Sequence, residues 1–182
     1  MAEGGTCIFV NGLPGSGKST YARRFVESRR GWLNLDVDLL RGLLGTASID
    51  FVQAGAEVQP LALALLREQI GRGGNVIFPQ LFFTPEEAAP FEEAVVASGG
   101  RVVRTLLHEG TEECWRRVEE RAHGSASGSI DRGILALLAE AGGAVEIERM
   151  QRQLSAWSER PDAPRIIHAS TPHEELALLA AG

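Results

Sequence analysis

The chain has 182 residues, close to the usual size of one domain, so we expect a single unit over residues 1–182. Its 44% hydrophobic and 23% charged residues exclude a disordered, collagen-like or disulfide-rich chain. The formal net charge of -6 argues against a nucleic-acid partner, and no stretch approaches the roughly 18 apolar residues of a membrane span.

Two cysteines, Cys7 and Cys114, lie far apart in the sequence. Cys7 lies in an apolar run, where a buried free thiol is the usual state, and this suits a reducing compartment. The N-terminal residues lack the basic start and the long apolar run of a signal peptide. We therefore expect a cytoplasmic protein with no membrane contact.

The N-terminal part of the chain alternates between strand-like and helical patterns. It predicts, in order, a strand over 6–11, a helix over 19–29, a strand over 32–35 and a helix over 39–44. Residues 46–59 have weak periodicity, which indicates a loop or an irregular helix. A helix is predicted over 60–70, because Pro60 suits a first helical turn and Gly71 suits the position after a helix end.

The rest of the chain continues the alternation. It predicts, in order, a strand over 75–78, a helix over 84–98, a strand over 101–107, helices over 111–122, 134–140 and 144–159, a strand over 165–168 and a helix over 171–180. Small residues at 123–129 cannot form much core, so we expect a mobile lid or helical cap at about 122–145. The pattern predicts an α/β fold with about five parallel strands, helices on both faces and a small helical lid.

A glycine-rich motif lies between the first predicted strand and the first predicted helix. Glycines let consecutive backbone N–H groups turn toward phosphate oxygens, and the helix N-terminus adds positive potential. We therefore expect this segment to bind ATP, with Lys18 on the β and γ phosphates and Ser19 on Mg²⁺. A chance glycine-rich turn is the minor alternative. The motif G-x-x-x-x-G-K-[ST] is matched in full, and the predicted nucleotide-binding residues are Gly12, Leu13, Pro14, Gly15, Ser16, Gly17, Lys18, Ser19 and Thr20.

Two carboxylates, Asp36 and Asp38, follow the second predicted strand, and Arg41 lies one helical turn beyond Asp38. In a parallel sheet this end faces the same crevice as the glycine-rich loop. Phosphoryl transfer to an alcohol needs a carboxylate that accepts the hydroxyl proton, and cations that neutralise the transferred group. Asp36 and Asp38 could divide proton acceptance and water-mediated metal contact between them. In the structural alternative, Asp38 is the N-cap of the following helix and Asp36 is a solvated turn residue.

The segment GLPGSGKST, followed by a strand and D-x-D-x-x-R, resembles the small P-loop kinases that include adenylylsulfate kinase, polynucleotide 5'-kinase, chloramphenicol phosphotransferase and the zeta toxins. The resemblance implies a P-loop NTPase fold and phosphotransfer from ATP with Mg²⁺. It also implies that Asp36 is the base or metal contact, with Asp38 and Arg41 at the acceptor substrate. The stretches VIFPQLFF and RVVRTLL, with a helix bearing Arg117 and Arg121, are similar to tunicamycin-resistance-type ATP-binding proteins.

The third predicted strand departs from the pattern of many relatives, which place an acidic residue at its end. Here the strand runs into Pro79 and Gln80. Gln80 can hydrogen-bond a substrate but adds no negative charge, so more of the electrostatic task falls to Asp36. This departure also counts against a motor ATPase.

Two arginines, Arg117 and Arg121, lie four residues apart on the helix predicted over 111–122. The small kinases place lid arginines here, and an arginine that reaches the transferred phosphoryl group can raise the rate by about 10³ to 10⁵. In the alternative, these arginines form a solvated surface of salt bridges with Glu113, Glu119 and Glu120.

These patterns predict an ATP- and Mg²⁺-dependent phosphotransferase whose acceptor is a hydroxyl of a small molecule. A nucleotide-binding ATPase, or a resistance protein that sequesters its ligand without phosphotransfer, is the alternative. A GTPase switch is disfavoured because the sequence has no N-K-x-D motif. A small, largely apolar acceptor would suit the cluster of Phe78, Leu81, Phe82 and Phe83 if part of it faces the crevice. In the alternative, which we favour for at least two of these residues, they fill the core.

Overall fold

The computed structural model of the chain describes residues 4–48, 50–126 and 128–168. Its strands are β1 (Thr6–Asn11), β2 (Trp32–Asn34), β3 (Asn75–Pro79), β4 (Arg101–His108) and β5 (Arg165–His168). Its helices are α1 (Lys18–Glu27), α2 (Val37–Arg41), α3 (Phe51–Gly71), α4 (Pro85–Ala97), α5 (Thr111–Gly124), α6 (Ile130–Glu140) and α7 (Ala144–Ser158). A short 3-10 helix at Gly45–Ser48 precedes α3. The helix predicted over 171–180 lies outside the described residues.

The strands form one parallel sheet in the order β2-β3-β1-β4-β5. β1 is central and pairs with β3 and β4, so that Ile8 lies opposite both Ile77 and Val103. The prediction of a five-stranded parallel sheet is confirmed. Because the strands are parallel, their carboxyl ends meet at one edge, and the crevice beside the central strand lies where the strand order reverses.

Alternating residues of β1 pack against helices on opposite faces of the sheet. Cys7 and Phe9 belong to a core cluster shared with α3 and α4, whereas Ile8 and Val10 belong to a cluster shared with α1. Each of the four side chains is at most 3% exposed. A strand buried on both faces must be continuously apolar, which is why this run of the sequence has no alternation.

A third core cluster joins the loop after β1 to the helices α5, α6 and α7. It contains Leu13 of the loop, Cys114 and Val118 of α5, and Leu138 of α6. The predicted lid is thus largely helical, and α6 begins at Ile130, four residues before the predicted start. On its other side, α6 meets α3 closely, because a Cβ atom at Gly133 would lie 2.5 Å from Cδ2 of Phe51.

The helix α3 corrects the prediction for residues 46–59. It is continuous from Phe51 to Gly71, begins with Asp50 as its N-cap and carries Pro60 in its interior rather than in its first turn. Ala54 and Val58 are buried one helical turn apart before the proline, and the buried stripe continues beyond it. Packing of this stripe on the sheet outweighs the hydrogen bond that Pro60 cannot donate. Although α3 spans 21 residues, none of the described helices is apolar enough to cross a membrane.

The register of α3 can be tested with two identical substitutions. Val58 is fully buried, whereas Val52 in the same helix is 66% exposed. We expect Val58→Ala to lower the free energy of unfolding by about 2 kcal/mol, because it removes buried methyl groups and leaves a cavity. Val52→Ala should change it by less than about 0.5 kcal/mol. Urea unfolding measures both, and equal losses would contradict the helix described for residues 51–59.

Candidate functional site

The loop between β1 and α1 follows a course that its glycines permit. Gly15 has φ 82° and Gly17 has φ 100°, both in the left-handed region. A Cβ atom at Gly15 would lie 2.1 Å from the carbonyl oxygen of Cys114, so only glycine fits where the loop passes the backbone of α5. Gly17 is the N-cap of α1 and supplies no side-chain cap, which leaves the first N–H groups of the helix available to an anion.

Lys18 and Ser16 carry polar atoms that a triphosphate would satisfy. The Lys18 Nζ atom donates to the carbonyl oxygens of Gly12 at 2.7 Å and Leu13 at 2.8 Å. Burial lowers the pKa of Lys18 to about 8, and the nearby carboxylates of Asp38 and Asp36 oppose this shift. Ser16 is 1% exposed, and its hydroxyl has no partner among the described residues. An amine, an unpaired hydroxyl and a glycine-lined backbone together fit a phosphate group.

The acidic pair divides into one buried and one accessible carboxylate. Asp36 is 4% exposed and is the N-cap of α2, where its Oδ1 atom accepts a hydrogen bond of 3.0 Å from the Asp38 N–H. The alternative with Asp38 as the cap is therefore wrong, and α2 begins at Val37, two residues before the predicted start. Asp38 lies in the first turn, where its carboxylate is 3.4 Å from the Arg41 guanidinium.

A cleft of about 260 Å³ adjoins the loop and gathers most of the predicted side chains. Desolvation by the surrounding protein raises the pKa of Asp38 above its usual value although its side chain is 41% exposed; Arg41 opposes this shift and Asp36 adds to it. Asp38 is therefore a stronger proton acceptor than a solvated aspartate. Asp36 does not line the cleft, although its charge still reaches Lys18. The polar lining consists of Lys18, Ser19, Thr20, Asp38, Arg41, Gln80 and Arg121.

The two predicted arginines of α5 lie beside the loop in different ways. Arg117 contacts two carboxylates, Glu113 at 2.6 Å and Glu109 at 3.1 Å, and donates to the Gly15 carbonyl at 3.4 Å. Arg121 approaches Asp131 only to 3.8 Å. Arg121 lines both the cleft and a second cavity of about 380 Å³ that also adjoins the loop, whereas Arg117 lines the second cavity alone. Arg117 therefore forms salt bridges of the kind that the structural alternative describes, whereas Arg121 borders both the cleft and the second cavity.

The described residues contain no cluster of three or more His, Cys, Asp or Glu side chains that could hold a metal ion by themselves. Mg²⁺ in phosphoryl-transfer sites needs few protein ligands, because substrate phosphates and waters supply the rest. The exposed Ser19 hydroxyl and one carboxylate of the acidic pair fit this requirement. The metal roles of Ser19 and Asp36 stay predictions.

Asn11 is a site residue that sequence reasoning missed. It is the last residue of β1, 3% exposed, and its Oδ1 atom accepts from the N–H groups of Gly12 at 2.8 Å and Phe82 at 3.0 Å. Its Nδ2 atom donates to the Phe82 carbonyl at 2.7 Å. One amide therefore joins the start of the glycine-rich loop to the loop after β3. A polar residue at the end of an otherwise apolar strand was the available signal.

Substitution of Asn11 tests this connection. We expect Asn11→Ala to lower the free energy of unfolding by about 3 kcal/mol, because buried backbone groups lose their partners. ATP affinity should also fall, because the first loop residue is no longer held. Asn75→Ala is the matched control, since Asn75 accepts a single bond from the Thr6 N–H at the opposite edge of the sheet. Urea unfolding and calorimetric ATP titration measure both effects, and equal ATP affinity in the two variants would contradict the role of Asn11.

Solved structures share this fold at low sequence identity. A putative kinase from Chloroflexus aurantiacus aligns with a TM-score of 0.66 and 12% identity over 100% of this chain and 96% of that one. The tunicamycin resistance protein of Deinococcus radiodurans aligns with a TM-score of 0.63 and 17% identity over 97% and 94% of the two chains. A gluconokinase from Sinorhizobium meliloti aligns with a TM-score of 0.55 and 17% identity over 100% and 96%.

A protein-family comparison agrees with the fold. The family model described as AAA domain matches residues 7–139, which include the glycine-rich loop, the acidic pair and the helix α5. The match covers more than half of the chain. The protein therefore belongs to this AAA domain family, and its fold is that of the kinase-like P-loop proteins.

Proposed function

We propose that the protein is an ATP- and Mg²⁺-dependent phosphotransferase that transfers the γ-phosphoryl group of ATP to a hydroxyl of a small molecule. One observation carries the proposal. The Asp38 carboxylate lines the same cleft as Lys18 and Arg121, directly beside the glycine-rich loop. A site that only binds a nucleotide needs no carboxylate at this position, whereas transfer to an alcohol needs one that accepts the hydroxyl proton.

Each side chain of the cleft then has a role in the transfer. The acceptor oxygen attacks the γ-phosphorus, its proton passes to Asp38, and the bond to the bridging oxygen breaks so that ADP leaves with the electron pair. Lys18 and Arg121 neutralise the transferred group. Bound Mg²⁺ would neutralise charge on the phosphate oxygens, held from Ser19 and, through water, from Asp36. Arg41 and Gln80 orient the acceptor.

The net charge of -6 supports a small-molecule acceptor over a nucleic-acid end. The similar solved structures include a resistance protein as well as a gluconokinase. A protein that sequesters its ligand without phosphotransfer is therefore the competing function. Tight ATP binding without transfer to any hydroxyl would favour that second function.

Paired substitutions of the acidic residues test the role of Asp38. We expect Asp38→Asn to lower kcat by about 10²-fold to 10⁴-fold and to change ATP affinity far less, because it removes the proton acceptor while Lys18 and the glycine-rich loop still bind the triphosphate. Asp36→Asn should lower kcat less than about tenfold at saturating Mg²⁺, since asparagine still caps α2, and it should raise the Mg²⁺ concentration needed for half-maximal rate because the charge near the metal is lost. Steady-state kinetics and ATP titration separate the effects. Loss of turnover in Asp36→Asn alone that excess Mg²⁺ does not restore would assign the base to Asp36 instead.

The lowered pKa of Lys18 predicts a pH dependence of ATP binding. Above about pH 8 the free protein loses the lysine proton, whereas bound triphosphate favours the charged form, so binding must take up a proton. The Kd for ATP should therefore rise above pH 8, by up to about tenfold per pH unit. Lys18→Arg is the control, because arginine stays charged and its Kd should lack this slope. Calorimetry between pH 7 and pH 9.5 measures both, and a flat profile for the natural protein would contradict the assignment.

A further inference from the structure

The two arginines of α5 that lie beside the loop are held to different degrees. Arg117 contacts two carboxylates and donates to the Gly15 carbonyl. Within the described residues, Arg121 pairs with a single carboxylate, Asp131 at 3.8 Å, and its side chain is 46% exposed. A guanidinium with one loose partner keeps most of its N–H donors free for a bound anion. Of these two arginines, Arg121 is therefore the one that can bind a phosphoryl group without breaking a close ion pair.

The direction of the Arg121 side chain decides which space its charge serves. Arg121 lines both the cleft and the second cavity. Burial is the main cause of the pKa shifts of Lys18 and Asp38, and the Arg121 guanidinium also lowers both values. Its charge therefore already acts on these two groups of the cleft. A long side chain with many rotamers needs a fixed partner to favour one direction over the other.

Asp131 is such a partner, because it is itself fixed where α5 ends and α6 begins. It lies in the first turn of α6, where the helix dipole favours a carboxylate. The Ser125 hydroxyl lies 3.0 Å from Oδ2 of Asp131 and 2.8 Å from the Arg121 carbonyl oxygen, so it can donate to either. The Arg132 Nε atom donates to the Ser125 carbonyl at 2.9 Å. Ser125 thus joins the two helices and leaves Oδ1 of Asp131 to face Arg121.

We infer that Asp131 is a positioning residue for Arg121 and directs its guanidinium toward the transferred phosphoryl group. This inference rests on the proposed phosphotransfer. An ion pair this long and this exposed adds little to the stability of the fold. Its effect lies in the site, because an arginine stabilises developing negative charge only when its N–H groups point at the phosphoryl oxygens. Without the Asp131 charge, Arg121 is free to turn toward the second cavity.

ADP with aluminium fluoride tests the inference without the acceptor, because the metal fluoride takes the place of the transferred group. Calorimetric titration in Mg²⁺ measures the Kd for ADP alone and for ADP with aluminium fluoride. We expect aluminium fluoride to tighten ADP binding to the natural protein. Its Kd with aluminium fluoride should rise about 10²-fold in Arg121→Ala and about tenfold in Asp131→Asn. The Kd for ADP alone should change less than about twofold in Asp131→Asn, because the loop that binds the diphosphate is unaltered.

Two further variants are controls. Asp162→Asn is the matched one, since Asp162 pairs with Arg160 at 3.1 Å and neither residue lines the cleft or the second cavity. It should leave both constants unchanged. In the double variant of Arg121→Ala and Asp131→Asn, the second substitution should add no further loss, because Asp131 acts through Arg121. Urea unfolding shows that each variant keeps its fold.

The outcomes separate this inference from the proposed function. An unchanged affinity for ADP with aluminium fluoride in either Arg121→Ala or Asp131→Asn would overturn the inference and leave the phosphotransfer intact. So would a further loss in the double variant, or an equal loss of affinity for ADP alone in Asp131→Asn, because Asp131 would then act without Arg121. If aluminium fluoride fails to tighten ADP binding to the natural protein, the proposed function is overturned, and the inference with it.

Discussion

The close passage of the glycine-rich loop over its neighbours is the constraint on which the site depends. At Gly15 the loop runs so near the Cys114 carbonyl that a Cβ atom would lie 2.1 Å away, and at Gly12 a Cβ atom would lie 2.8 Å from the Leu107 carbonyl. Side chains at either position would push the loop away from α5 or β4. The loop can curve so that its backbone N–H groups turn inward only because Gly12 and Gly15 have no side chains.

Charge in the cleft is balanced around the loop. The Lys18 amine and the carboxylates of Asp38 and Asp36 interact, so that each moderates the cost of burying the other. Arg41 and Arg121 surround Asp38 from α2 and α5. A phosphate group that binds at the loop adds negative charge, which the cations around the loop can neutralise. The buried carboxylate of Asp36 positions Asp38, because it accepts a hydrogen bond from the Asp38 N–H and so fixes the first turn of α2.

The parts of the fold that follow local patterns could be predicted from the sequence. Each of the five strands contains a short apolar run, and the loop has a motif whose spacing reflects its backbone. The start of α3 was missed, because Pro60 is a typical first-turn residue and the weak periodicity before it concealed the stripe of Ala54 and Val58. The structural alternative for the acidic pair placed the cap of α2 at Asp38 rather than Asp36, since an aspartate caps well at either position.

The acceptor side of the cleft could not be predicted in the same way. The cluster predicted at 78–83 contributes Leu81 to its lining, but Phe51, Ile134 and Met150 are far apart in the sequence and carry no shared pattern. Tertiary packing brings them together, because α6 contacts α2, α5 and α7 and its Gly133 lies against Phe51 at the start of α3. The same holds for Asn11, whose partner Phe82 is 71 residues away.

The hydrogen bonds of Asn11 couple two loops at the site. The Asn11 amide bonds to Gly12 on one side and to both backbone groups of Phe82 on the other. Neither loop can detach from the strand end without breaking bonds that also position the other. The glycine-rich loop and the loop after β3 therefore form one cooperative unit, whose amide hydrogens become exchangeable together.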